Sequence, residues 1–268
     1  MKRRDMMAKS VGLGAGVGAG FLLAGAPRPA RAEDELLFAR PPVTVPVVGT
    51  AKQFAVRRIY CVGRNYAAHA REMGSDPNRE PPFFFQKPTD AIQNVPFGTT
   101  VDHPYPPMTR NYHYEIEMVV ALGGGGKNVA AARALDLVYG YALGLDMTRR
   151  DLQQAMGNEK KPWEVGKSFD RSAPITPIRP ASALGHMREG AITLKVNDQI
   201  KQSSNIRNMI WDVAEQIAHL SQYYELMPGD IIYTGTPENV GPVVAGDVME
   251  GHLDRIGEIK VRVVAPAS

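Results

Sequence analysis

His113-Tyr-Glu-Ile-Glu-Met-Val-Val-Ala-Leu122 decides how the rest of the chain is read. Its second half, Met118 to Leu122, is apolar and carries paired valines, so the stretch reads as a strand. Strand side chains alternate, which places Glu115 and Glu117 on one face, roughly 6–7 Å apart along the chain. Ile116 and Met118 take the other face. Two carboxylates on one face of an apolar strand repel each other and lose hydration. A hard divalent cation removes both costs: Mg²⁺ or Mn²⁺, and also Ca²⁺, binds such oxygens. A solvent-facing acidic strand fits the same spacing, because half-exposed strands alternate apolar and polar residues.

Outward from this stretch, Val138 to Leu145 is a second apolar run and ends on Asp146, which offers a third carboxylate. Thr148 is placed to cap a following helix, on which Arg150 and Gln153 share a face near Asp146. A strand-end carboxylate beside a guanidinium and an amide suits a metal-bound 2-oxo acid. A surface Asp–Arg pair is the plainer alternative. Upstream, Asn65 is placed to cap a short helix over Tyr66 to Met73, where His69 and Glu72 are three apart. A histidine held by a carboxylate is the usual general-base arrangement, although a surface His–Glu pair has the same spacing.

Phe83-Phe-Phe-Gln86 reads as a buried strand delivering Lys87 before Pro88. Gly123 to Gly126 lacks the Lys-Ser/Thr of a phosphate loop and reads as a loose turn. Gly166-Lys167-Ser168-Phe169 reads as a loop in which Lys167 can stabilise an oxyanion or enolate, or stand solvated. Asn197-Asp198 between two strand patterns signals a hairpin, and Trp211 to Leu220 repeats apolar residues at helical spacing. Thr236, in the Gly/Pro loop after Ile231-Ile-Tyr233, can present itself and nearby backbone N–H groups to a substrate's terminal carboxylate. His103, His186 and His252 show no ligand spacing. Strands dominate, helices are short, and no strand–helix alternation points to a doubly wound sheet. The expected class is a β-rich α+β fold.

Six blocks, in order, resemble the fumarylacetoacetate hydrolase superfamily from about Phe54 to Val264. They are Tyr60-Cys-Val-Gly-Arg-Asn-Tyr-Ala-Ala-His69, Phe83-Phe-Phe-Gln-Lys-Pro88, His113-Tyr-Glu-Ile-Glu117, Gly144-Leu-Asp-Met-Thr-Arg-Arg-Asp-Leu-Gln153, Gly166-Lys-Ser-Phe169 and Tyr233-Thr-Gly-Thr-Pro237. Within the superfamily the chain looks most similar to the bacterial fumarylpyruvate hydrolases. The resemblance implies a mixed β-sandwich roll with a small N-terminal piece, usually dimeric. It implies a metal held by Glu115, Glu117 and Asp146, His69 as base oriented by Glu72, and Lys167 stabilising developing charge. Arg150, Gln153 and Thr236 would position the substrate, and Lys87 would border it. The implied reaction is hydrolysis of a carbon–carbon bond in an acylpyruvate such as 3-fumarylpyruvate. Decarboxylation of a β-keto acid such as oxaloacetate, or isomerisation of a 2-hydroxydienedioate, would use the same groups. A non-catalytic periplasmic dicarboxylate binder is the reading from another class, but a binder needs no base.

Composition narrows the partners. The chain has 268 residues and a formal net charge of +3. Residues 1–32 hold six Lys/Arg against one Asp, which leaves 25 Lys/Arg against 27 Asp/Glu in the rest, a net −2. No basic patch suggests nucleic acid. The lone Cys61 excludes an internal disulfide and reads as core. Arg3-Arg4, an uncharged Gly-rich segment and Ala30-Arg31-Ala32 form a twin-arginine-type signal peptide over 1–32. Its apolar segment is shorter than a membrane-spanning helix needs. The expected order is therefore leader 1–32, Pro-rich arm 33–53 and catalytic domain 54–265, in a periplasmic protein without a stable membrane anchor. Initiation at Met6 or Met7 would remove the arginines and leave the protein cytoplasmic.

Overall fold

The strand Ile116–Leu122 is buried along its whole length. Its even-numbered residues Ile116, Met118, Val120 and Leu122 enter the larger of two apolar cores, and Val119 and Ala121 enter the smaller. A strand covered on both faces sits in the middle of a sheet, and this one does. The computed structural model describes residues 37–74 and 80–266, and its compact unit begins at Pro41. Its largest sheet has eight strands. In order across the sheet run Phe83–Lys87, Arg58–Gly63, Asp230–Tyr233, Ile116–Leu122, Val138–Leu145, Ala173–Ile175 and Ile92–Asn94, with Arg179–Pro180 paired beside Val138–Leu145. Asp230–Tyr233 runs parallel to Arg58–Gly63 and antiparallel to Ile116–Leu122, so the sheet is mixed.

A second sheet of five strands is built on the hairpin Ala191–Val196 and Gln199–Asn205 and on the pair Val248–Leu253 and Gly257–Val264, with Val101–Pro104 at its far edge. Its inward residues, among them Ile192, Leu194, Met249 and Val261, share the larger core with Ile116 and Met118. The two sheets thus give the β-rich class expected from the strand pattern and the mixed sandwich that the resemblance implies. The hairpin turns at Asn197-Asp198, both left-handed (φ 50° and 66°), as a two-residue turn of this kind requires. Among the described residues, no helix is long and apolar enough to cross a membrane.

Several local expectations need correction. His113 to Leu122 is two strands: Tyr112–Tyr114 pairs with Gly241–Val243, and Ile116–Leu122 pairs with Val138–Leu145. The chain changes sheets at Glu115. Phe83–Lys87 is an edge strand with Phe83 and Gln86 exposed, so the run expected to be buried is not, and its one buried residue is Lys87. The helix expected over Trp211 to Leu220 begins after Asp212 and spans Val213–Tyr223, because Asp212 and Glu215 close a capping box. Neither Asn65 nor Thr148 caps a helix. Thr148 lies in a strand and its hydroxyl donates to the Asp146 carbonyl at 3.0 Å. The leader expected over 1–32 lies outside the described residues. Of the Pro-rich arm, Thr44–Pro46 pairs with Gln53–Ala55, and Val45 is fully buried.

Candidate metal centre

Glu115 occupies the corner between two strands, where the carbonyl of its own backbone accepts from Asp146 N–H at 2.8 Å. That one bond ties the corner to the end of Val138–Leu145, and so draws Asp146 to the carboxylate strand. Glu117, two residues on, pairs with Gly144 in the same ladder. The result is a nest of three carboxylates, Glu115, Glu117 and Asp146, with ligand oxygens all within 4.8 Å of one another. Their exposures are 4 %, 1 % and 1 %. The acidic strand face is therefore buried, which excludes a solvated surface.

Three buried cations face this nest. Lys167 Nζ donates to Glu115 Oε2 at 2.6 Å and to Asp146 Oδ2 at 2.9 Å. It is carried on the short helix Glu164–Lys167 rather than on the expected loop. That helix lies against Arg150–Asn158 where Gly166 has no side chain; a Cβ there would stand 2.7 Å from Gln153 N. Arg150 donates to Glu115 Oε1 through Nη2 and to Gln153 Oε1 through Nη1 at 2.6 Å. The guanidinium thereby fixes the Gln153 amide so that its NH₂ is the free end. Lys87, expected beside the substrate, instead lies beneath Asp146. Its ammonium is 2.8 Å from Asp146 Oδ1 and donates to the carbonyls of Met147, at 3.2 Å, and Lys167. Two of its three donors go to those carbonyls and its charge faces Asp146, so it reaches the cavity only through Asp146.

The three carboxylates are not equivalent. Burial raises the Glu115 carboxyl, but the Lys167 ammonium and Arg150 guanidinium more than reverse this, holding it well below the usual range. Burial pushes Glu117 well above that range, and the charges of Asp146 and Glu115 push it further. Among the described residues, its one hydrogen bond is from Gly235 N–H to Oε2 at 2.8 Å. Gly235 has φ +101°, and a Cβ there would meet the Asn65 Cβ at 2.6 Å, so a side chain is excluded. Asp146 Oδ1 is buried and accepts no hydrogen bond despite the nearby Lys87. A carboxylate without a counter-ion and a buried oxygen without a donor are acceptor capacity left for a hard cation.

His69 and Thr236 line the same cavity as the nest. His69, 5 % exposed, lies on the helix Ala67–Glu72 with Nδ1 3.0 Å from Glu72 Oε2. Glu72 also accepts from Asn239 N–H at 3.1 Å; burial raises its carboxyl, and these partners more than offset that, leaving it lowered. With Nδ1 committed to Glu72, Nε2 is the nitrogen left for chemistry. Thr236 Oγ1 accepts from Gln202 Nε2 at 2.9 Å, so the hydroxyl proton remains to be donated.

Residue reasoning overlooked several parts of the cavity. Arg64, Phe85 and Trp163 line it. Arg64 stood in plain view at a strand end beside Gly63 and could have been singled out. Asn65 is a three-bond staple: Nδ2 donates to the carbonyls of Trp211, at 3.0 Å, and Thr234, at 2.8 Å, and Oδ1 accepts from Trp211 N–H at 2.8 Å. Gln202 binds both Thr236 and, through Oε1, the Ile116 N–H at 3.0 Å. Nothing in the local pattern of either residue signals these long-range bonds.

Residues 58–264 match the family model described as fumarylacetoacetate (FAA) hydrolase, C-terminal. The chain belongs to this family. It is 48 % identical over 188 residues to fumarylpyruvate hydrolase of a Ralstonia species, a match covering 70 % of this chain and 95 % of the relative. It is 39 % identical over 210 residues to the mitochondrial oxaloacetate tautomerase of Bos taurus, covering 78 % of this chain and 93 % of that one. Among solved structures it is similar to fumarylpyruvate hydrolase from Pseudomonas aeruginosa in complex with Mn²⁺ and pyruvate. That match has a TM-score of 0.85 and 55 % identity, covering 86 % of this chain and 100 % of the other.

Proposed function

We propose that this chain is a metal-dependent hydrolase that cleaves the carbon–carbon bond of an acylpyruvate, 3-fumarylpyruvate above all, to fumarate and pyruvate. The observation that carries this reading is one cavity lined by both a buried carboxylate triad and a carboxylate-held histidine. Its support from outside the chain is the Mn²⁺ and pyruvate in the similar Pseudomonas enzyme. Glu115, Glu117 and Asp146 would hold Mg²⁺ or Mn²⁺, which supplies Lewis-acid polarisation of a 2-oxo acid when bound.

The chain's own groups do the rest. His69 Nε2 takes a proton from water, whose oxygen adds to the acyl carbonyl carbon. Glu72, itself held by the Asn239 N–H, keeps the imidazole in one orientation. Lys167 places a full positive charge beside the cavity for the negative charge that develops. Breaking the carbon–carbon bond sends its electron pair to C3 of the pyruvyl half, which leaves as an enolate and regains a proton at C3. The acyl half leaves as a carboxylate carrying the oxygen of the water. The Gln153 NH₂ and the Thr236 hydroxyl are the donors left to orient the substrate, with Arg150 fixing the former.

Purified protein with Mn²⁺ should convert 3-fumarylpyruvate to fumarate and pyruvate in equal amounts, measured by product chromatography. Cleavage of oxaloacetate or its tautomerisation at a far higher kcat/KM, with no fumarate formed, would reject the hydrolase reading. The bovine relative makes oxaloacetate the competing substrate to include. Export through residues 1–32 and a homodimer are further parts of the proposal. N-terminal sequencing of periplasmic protein, expected to begin at Glu33, tests the first, and sedimentation equilibrium tests the second.

A further inference from the structure

Among the described residues, every cation that lines the cavity is engaged with the metal-site carboxylates, except one. Lys167 bonds to Glu115 and Asp146, and Arg150 to Glu115 and Gln153. Arg64 lines the same cavity but makes no ion pair or hydrogen bond among the described residues, and its Nε is buried without a partner. Its guanidinium carbon lies 5.9 Å from the centroids of both the Phe83 and Trp163 rings. These two rings meet edge to face at 5.0 Å, so they form a fixed aromatic corner against which the guanidinium rests. The backbone of Arg64 is left-handed, φ 57°, a conformation a non-glycine residue adopts only where the surroundings hold it. The next residue, Asn65, is stapled by its three hydrogen bonds to Trp211 and Thr234. The arginine is thus aimed by a rigid support and braced by aromatic faces, yet has nothing to bind.

We infer that Arg64 is the receptor for a carboxylate at the far end of the acyl arm, so that the site selects acylpyruvates whose acyl group is itself an acid. A guanidinium presents paired N–H groups that match a carboxylate, and stacking on aromatic rings keeps it ordered while leaving those groups free. A partly buried, unpaired guanidinium beside a cavity is costly to hold, and a carboxylate in the bound substrate removes that cost only when the correct acid is present. The Thr236 hydroxyl is a neutral single donor and cannot match this charge. This inference rests on the acylpyruvate hydrolase reading, to which it adds the substrate class.

The test compares 3-fumarylpyruvate with acetylpyruvate, which has the same pyruvyl half and a neutral arm. In Arg64→Met, kcat/KM for fumarylpyruvate should fall on the order of 10- to 100-fold, while that for acetylpyruvate changes less than about threefold. Arg64→Lys, which keeps the charge but not the fork, should recover part of the loss. Methionine keeps the apolar stack and the same backbone demand, and the acetylpyruvate rate reports that the variant is folded. Equal losses on both substrates, or none on either, would overturn the inference. Calorimetry of the Mn²⁺-loaded protein keeps the question open to measurement even if no acylpyruvate is cleaved. Fumarate should bind wild type at least about tenfold more tightly than Arg64→Met, and crotonate should bind both alike. Equal fumarate affinities in the two proteins would sink the carboxylate receptor without bearing on the reaction assigned to the metal centre.

Discussion

His103 and Glu117 are each 1 % exposed, and each belongs to a cluster of polar side chains inside the protein. Around His103 every group has its partner. Gln93 Oε1 lies 2.6 Å from Nδ1, Tyr112 O–H lies 2.5 Å from Nε2, and Gln93 Nε2 donates to the Asp102 carbonyl at 2.8 Å. No formal charge is needed: Nδ1–H donates and Nε2 accepts. Around Glu117 three carboxylates meet three cations, yet the cations bond only Glu115 and Asp146, and Glu117 is left with one backbone N–H. A buried cluster that serves stability closes its own hydrogen bonds, whereas one built for a ligand leaves acceptors over.

The largest effects should come from breaking the open cluster. Glu117→Ala should abolish Mn²⁺ binding and turnover, while leaving the metal-free protein as stable as wild type or more so, because it removes a buried carboxylate without a counter-ion. Glu115→Ala should also abolish turnover, yet destabilise the metal-free fold by about 3–5 kcal/mol, since it leaves the buried Arg150 without a carboxylate and Lys167 with Asp146 alone. Calorimetric Mn²⁺ titration and urea unfolding separate the two. Full turnover of wild type after EDTA treatment would remove the basis of the contrast.

Next in size is His69, which lines the same cavity. His69→Ala leaves the carboxylates untouched and should lower turnover of 3-fumarylpyruvate about 10²–10⁴-fold with Mn²⁺ affinity unchanged. Enolisation or decarboxylation of oxaloacetate needs no activated water and should suffer less. An equal loss in both reactions would make His69 a positioning residue instead. A smaller effect belongs to Lys87, which touches Asp146 and not the cavity. Lys87→Met should weaken Mn²⁺ binding about 10–100-fold and leave KM at saturating metal nearly unchanged. A raised KM with normal metal affinity would return Lys87 to the substrate.

The parts of this design that were legible in the chain are those whose signal is local. Glu115 and Glu117 share a face because a strand alternates, and His69 meets Glu72 because a helix brings positions three apart together. The two-residue turn at Asn197-Asp198 is likewise a local signal. What was hidden depends on partners far away in sequence. The sheet change at Glu115 follows from Gly241–Val243 claiming one side of the break and Val138–Leu145 the other. Asn65 and Thr148 have the chemistry of helix caps, but long-range carbonyls and the Asp146 backbone take their side chains instead. Phe83-Phe-Phe has the hydrophobicity of an interior strand but lies at a sheet edge, where its rings form the aromatic corner with Trp163. Lys87 was expected to border the substrate, and its buried ammonium lies against Asp146 and two backbone carbonyls that no local pattern reveals.

The smallest expected effect tests the closed cluster. Burial lowers the His103 imidazole to about 4, against the ordinary 6.5, and the nearby Arg171 adds to this. A histidine with a depressed folded value contributes stability that is fully present above 6.5 and is lost as pH falls toward 4, because the unfolded chain takes up the proton first. At pH 5.5, one unit below the unfolded value, the loss should be about 1.4 kcal/mol. Burial also lowers the His113 imidazole to about 4, so the wild-type slope alone does not isolate His103. His103→Gln supplies the reference: it keeps an amide donor and acceptor near Tyr112 and Gln93 but cannot take up a proton. Urea unfolding of both proteins at pH 7.5 and 5.5 should show wild type losing about 1.4 kcal/mol more than the variant over that interval. Identical losses would mean that the His103 cluster accepts the proton without opening, and that its closure is no stricter than that of the metal centre.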